Sequence, residues 1–166
     1  MKTIEQSIEV DVPVNTAYNQ WTQFEEFPRF MEGVQQVEQL DDTRLHWVAD
    51  VAGERKEWYA NITRQVPDEV IAWESEGGNA NGGTIVFTPI NTQRTKIDVF
   101  MDIEPEGMKE KVGSFIGIPG ATVKGDLERF KDFIENRNFE TGKWRGEVRH
   151  GAPDDPQSQL KRKGFD

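Results

Sequence analysis

The sequence predicts an α+β domain in which a curved antiparallel sheet of about six or seven strands wraps around a long C-terminal helix, with two short helices after the first strand. Three observations lead there. Apolar residues alternate with polar ones in one segment after another between residues 2 and 104, the period of strands that bury a single face. Residues 10–31, VDVPVNTAYNQWTQFEEFPRFM, break that alternation with aromatic side chains at helical spacing. One long apolar stripe, Val123, Leu127, Phe130 and Ile134, follows the last strand in steps of four, three and four, and the sheet is the only large surface on which it can lie.

The chain opens as a strand over 2–10, with Ile4, Ile8 and Val10 at even positions. Pro13 suits the first turn of a helix, where its missing N–H has no partner to lose, and Val14, Ala17, Tyr18 and Trp21 fall on one helical face. A second short helix is expected where Phe24, Phe27 and Phe30 recur every three residues, and Pro28 keeps it short. Segments 34–40 and 44–51 read as paired strands joined at Asp41-Asp42, with Leu45, Trp47, Ala49 and Val51 on one face. Gly53 turns the chain into 54–64, where Trp58, Ala60 and Ile62 face inward. Pro67-Asp68 closes that strand, and 70–75 follows with Ile71, Trp73 and Ser75 inward. Residues 77–83, GGNANGG, are too rich in glycine for regular structure, and with no Lys or helix start behind them they read as a hairpin loop rather than a phosphate cradle. Strands over 84–89 and 94–104 complete the sheet, the second alternating Ile97, Val99, Met101 and Ile103 with Lys96, Asp98 and Asp102.

The long helix is expected over 109–137. Its first half carries Gly113, Gly117, Pro119 and Gly120, at about 1 kcal/mol per Gly and about 3 kcal/mol for Pro, so this half reads as kinked or mobile. Beyond residue 137 the periodicity gives way to polar residues punctuated by Gly142, Gly146, Gly151, Pro153 and Pro156. The chain is therefore divided into a domain over 1–137 and a polar, flexible tail over 138–166, with Trp144 docking on the surface as the tail's one large apolar group.

Composition removes several function classes. The 166 residues make a single domain with a sizeable core. Zero Cys and two isolated His, His46 and His150, leave no disulfide, thiolate site or imidazole cluster, and no metal or other cofactor is expected. A net charge of -10 opposes a phosphate backbone, so nucleic acid is not an expected partner. No stretch approaches the roughly 20 apolar residues of a membrane span, and the first residues lead into a strand rather than an apolar export segment, so a cytoplasmic protein without integral membrane association is expected.

The motifs VDVPV, WTQFEEFPRFMEGV, EW.A.I, IAW.S, GGTIVF.P and DLERFKDFIE, in this order over 1–137, resemble the START-like superfamily (SRPBCC), specifically its polyketide cyclase/dehydrase and coenzyme Q-binding branch. The resemblance implies the helix-grip, or START/Bet v1-like, fold and a hydrophobic small molecule held between the long helix and the sheet. Some members of that branch cyclise or dehydrate polyketides, and others only carry lipids.

Phase assigns the residues of such a cavity: Trp47, Trp58, Ile62, Ile71, Trp73, Ser75, Phe87, Val99 and Met101 from the strands, and Ile116, Val123 and Leu127 from the helix. Phe27 and Phe30, with Gly113, Gly117, Pro119 and Gly120, are expected to gate it. Few titratable groups share the inward phase. Tyr18 and Arg55 are the only candidates for chemistry, and each has a plainer reading, as a helix-face core residue and an exposed strand-start charge. His46, next in sequence to Trp47, points the other way. The composition is that of a binding cavity for a lipid, quinone or polyketide-like molecule. A cyclase or dehydratase using the same space without metal or redox cofactor, and an interaction protein meeting partners through its acidic surface, are the other two readings.

Overall fold

A computed structural model of the chain describes residues 2–51, 53–76, 82–103, 120–149 and 152–153. Seven long strands among them form one antiparallel sheet: β1 (Lys2–Val10), β2 (Val34–Gln39), β3 (Arg44–Val51), β4 (Glu54–Val66), β5 (Val70–Ser75), β6 (Gly83–Asn91) and β7 (Arg94–Ile103). Their order is β1-β7-β6-β5-β4-β3-β2, so each strand from β2 onward pairs with its successor and β1 alone is carried across to the last. That pairing runs from Lys2 opposite Ile103 to Val10 opposite Thr95.

The register joins the alternating residues into one face. Trp47 lies opposite Trp58, Ile62 opposite Trp73, Ile71 opposite Ile85, and Ile85 opposite Val99, so the inward side chains of five consecutive strands are contiguous. Irregularities at Val34/Gln36, Ile62/Arg64 and Pro89/Asn91 interrupt the ladders, the device by which a sheet bends more sharply than twist alone allows. The turn at Asp41-Asp42 is held by Asp41 Oδ1, which accepts from the backbone N–H groups of Thr43 and Arg44, each at 2.8 Å.

The insertion after β1 forms α1 (Val14–Trp21) and a 3₁₀ turn over Phe24–Arg29. Pro13 is one step earlier than the sequence suggests: extended at φ -61°, ψ 156°, it precedes the helix and its carbonyl accepts from Ala17 N–H at 3.1 Å. The second short helix is 3₁₀ rather than α for a reason already in its spacing, since three residues per turn superimpose Phe24, Phe27 and Phe30, all buried, on one side.

The long helix is described as α2 (Gly120–Arg137). Its stripe Val123, Leu127, Phe130 and Ile134 is buried, and α2 is tied to the chain around β1 by Lys131 Nζ to the Glu9 carbonyl (3.1 Å) and by the Asp11 N–H to Glu135 Oε2 (2.7 Å). Asn138, at φ +66°, stops the helix, its N–H returning to the Ile134 carbonyl at 2.8 Å. Gly113, Ile116, Gly117 and Pro119 lie outside the described residues.

Packed chain does not end at Arg137, where the sequence places the start of a flexible tail. Residues 138–149 run back across α1. Asn19 donates to Glu140, Gln20 exchanges two hydrogen bonds with Thr141 at 2.9 Å each, the Trp144 N–H reaches Thr22 Oγ1, and Arg145 bridges Asn19 and Asp68. The segment then pairs as β8 (Val148–Arg149) with β4 at Gln65, and with β9 (Ala152–Pro153); Val148 is fully buried. The reason is at α1, where Asn19, Gln20 and the adjoining Thr22 are buried polar residues that need partners, and the chain after α2 supplies them. Among the described residues, no helix is long and apolar enough to cross a membrane.

Candidate functional site

Between α2, the 3₁₀ turn and the concave face of the sheet lies a cavity of about 60 Å³. Its wall on the sheet side is aromatic. The Trp47 and Trp58 rings stack across β3 and β4 with centroids 5.8 Å apart and planes 7° from parallel, the consequence of their direct cross-strand pairing. Trp73 stands next to them because its partner on β6 is Gly83: a Cβ at that position meets the indole at 2.5 Å, so only glycine leaves the ring its place. The opposite wall is Val123 and Leu127 of α2, and the rim is Trp21, Phe24, Phe27 and Met31. Trp21 touches Phe27, Phe30 and Phe130 at 5.1–5.5 Å, which fixes the rim to the helix through ring contacts.

One ionisable group reaches this space among the described residues. Asp126 lines it from α2, 7 % exposed. Its Oδ1 accepts the Glu32 backbone N–H at 2.9 Å and a contact from the Arg129 guanidinium, whose Nε in turn donates to the Phe30 carbonyl at 3.1 Å. Burial pushes the Asp126 carboxyl above the ordinary range, with the Glu32 N–H and Arg129 pulling against it.

Of the residues assigned by phase, Trp47, Trp58, Ile62, Ile71, Trp73, Val99, Met101, Val123 and Leu127 line the cavity. Ser75 and Phe87 do not. Ser75 ends β5 opposite Ala60, and Phe87 meets the edge of the Tyr18 ring at 5.4 Å, where α1 rather than α2 covers the sheet: phase sets the face of a strand, not the position along it. Phe27 is on the rim, while Phe30 packs behind it on Phe130 and Phe133. Gly120 begins α2, and the other expected gate residues, Gly113, Gly117 and Pro119, fall outside the described residues, as does Ile116.

Sequence reasoning missed Trp21, Phe24, Met31, Leu45, Ile85 and Asp126 as cavity residues. Leu45 and Ile85 carried the signal, sharing the inward phase of Trp47 and Val99. Asp126 did not, because a carboxylate beside the 123/127/130 stripe reads equally well as its solvated edge.

The other candidates lie away from the cavity. Tyr18 is fully buried under Phe87, and burial pushes its phenol far above the ordinary range, so it stays neutral. His46 is on the outer face, with Nε2 3.0 Å from Glu57 and its ring 4.8 Å from Tyr59. Arg55 is an exposed partner of the same Glu57, whose carboxyl it holds below the usual range together with His46. No group of three or more potential metal ligands occurs among the described residues.

Comparison with known proteins agrees with this architecture. The polyketide cyclase/dehydrase and lipid transport family matches residues 10–135. An uncharacterised 17.2 kDa protein from the melC2–rnhH intergenic region of Streptomyces lincolnensis is 53% identical over 149 residues, 89% of this chain and 99% of that one. Among solved structures, a Deinococcus radiodurans protein superimposes with a TM-score of 0.65 at 24% identity, over 82% of this chain and 99% of its own. The Zhui aromatase/cyclase of a Streptomyces species does so at 0.56 and 16%, over 82% and 86%. With its seven-stranded curled sheet closed by a C-terminal helix, and with the match extending over most of its length, the chain belongs to the polyketide cyclase/dehydrase and lipid transport family.

Proposed function

We propose that the protein binds a hydrophobic, ring-bearing small molecule (lipid, quinone or polyketide-like) between α2 and the concave face of the sheet. The observation that carries this reading is the lining: among the described residues, every side chain on the cavity except Asp126 is aromatic, aliphatic or a thioether. Such a surface gains about 25 cal/mol for each Å² of apolar area that a ligand removes from water. At about 60 Å³ the cavity holds a few waters, at about 10–15 Å³ each, so a ligand of one or more rings enters with a shift of the rim. The rim segment suited to that shift is the short 3₁₀ turn bearing Phe24 and Phe27.

A second reading, cyclase or dehydratase chemistry in the same space, is favoured by Asp126, since a carboxyl with a raised pKa beside an apolar cavity suits general acid–base work. The aromatase/cyclase name of one structural neighbour supports the same class.

Native mass spectrometry of protein purified from its own host tests the first reading. A co-purifying lipid, quinone or polyketide is the expected result; a ligand-free mass, together with no thermal shift on adding ring-bearing apolar compounds, overturns it. Conversion of a polyketide chain into a ring-closed product, lost in Asp126→Asn, establishes the second.

A further inference from the structure

The cavity is apolar but not featureless: the indole N–H groups of Trp21 and Trp47 are buried without an acceptor, and the one ionisable group among the described residues lies within the stripe of α2, between Val123 and Leu127. Asp126 divides its two oxygens. Oδ1 takes the Glu32 N–H and the Arg129 guanidinium, and Oδ2 takes no hydrogen bond among the described residues. A carboxylate has about four acceptor sites, and because Asp126 lines the cavity the remainder is open to what occupies it. A ligand that occupies the cavity without offering a hydrogen-bond donor leaves that oxygen buried and unsatisfied, whereas one that offers a donor completes it.

Charge narrows the donor. The charged groups facing Asp126 are Arg129 on its own helix and Glu32 on the loop after the 3₁₀ turn, and Arg129 already neutralises the carboxylate. A second cation is therefore redundant, and a neutral O–H is the fitting donor. The shape of the ligand comes from the parallel Trp47 and Trp58 rings, a wall that suits a flat ring system.

We infer that Asp126 is the specificity-determining residue of the cavity, its Oδ2 receiving the O–H of a hydroxyl carried on a flat, otherwise apolar ring, so that hydroxylated rings are selected over their hydroxyl-free counterparts. The inference rests on the binding reading proposed above.

Isothermal calorimetry on the full chain with 2-naphthol and 2-methoxynaphthalene tests it, because the two share a ring and an oxygen and only the first can donate. The wild-type protein is expected to bind 2-naphthol about tenfold more tightly or better, the scale of a hydrogen bond to a charged acceptor. Asp126→Asn keeps a carbonyl oxygen for the Glu32 N–H, and is expected to reduce the preference to within about twofold. Equal binding of the two compounds by the wild type, or an undiminished preference in Asp126→Asn, overturns the role of Asp126 and leaves the binding reading standing. Failure of both compounds to bind the wild type removes the aromatic cavity reading and the inference with it. If Asp126→Asn does not melt cooperatively, carboxyl ¹³C resonances of aspartate-labelled wild-type protein decide: a shift of one buried aspartate with 2-naphthol and none with 2-methoxynaphthalene supports the role, and no difference between the two overturns it.

Discussion

At the scale of single residues, the site depends on one position that carries no side chain. Gly83 leaves room for the Trp73 ring, and a methyl group there overlaps its Cζ2 and Cη2 atoms at 2.5 and 2.7 Å and the Met101 sulfur at 3.0 Å. Gly83→Ala is expected to push the indole into the cavity, lowering stability by about 1–3 kcal/mol in urea titration and weakening ligand binding at the same time. Asp41 offers a pH test. Its carboxyl is held below the ordinary range chiefly by the Thr43 N–H, so it contributes stability that is fully present above the unfolded-state value and lost as pH falls through the folded one. Asp41→Asn is expected to be less stable than wild type at neutral pH, with the difference closing between about pH 5 and pH 2 in thermal melts. The inward residues Trp47, Trp58 and Trp73 were legible because a strand's phase fixes its face. Asp126 was passed over because a lone carboxylate on an amphipathic helix reads equally well as a solvated edge, and only the docking of the Glu32 loop on α2 turns that position inward.

At the scale of elements, legibility followed periodicity. The seven strands, α1 and the stripe of α2 repeat with a clear period, and their positions are readable to within about three residues. The segment over 138–149 has none, because its contacts are made by the Glu140 carboxylate, Thr141, the Trp144 N–H and the Arg145 guanidinium rather than by an apolar stripe. A weaker sign stood on its partner: α1, VNTAYNQW, has no charged residue, which is unusual for a short helix with one face in water. Removal of the chain after Arg137 uncovers Asn19, Gln20 and Thr22 and deletes the buried Val148. Truncation there is expected to lower the melting temperature by roughly 10 °C or more, taking a loss of about 3 kcal/mol or more at about 3 °C per kcal/mol. An unchanged melt by circular dichroism returns residues 138–149 to the status of an appendage.

At the scale of the whole molecule, the acidic surface and the apolar interior divide the partners. A net charge of -10 predicts no retardation of single- or double-stranded nucleic acid in gel-shift assays even at low salt, where cationic contacts are strongest. The interior depends on the closure of the sheet, and there the pairing of the first strand with the last has a consequence for synthesis. Lys2 finds its partner only at Ile103, and α2 packs against β1. At about 5–20 residues per second, β1 waits roughly 5–20 s on the ribosome before β7 has been made, and α2 comes later still. The nascent chain therefore holds an unpaired β1 and the open indole wall in water together, and until β7 and α2 have been made a chaperone is the natural cover for both.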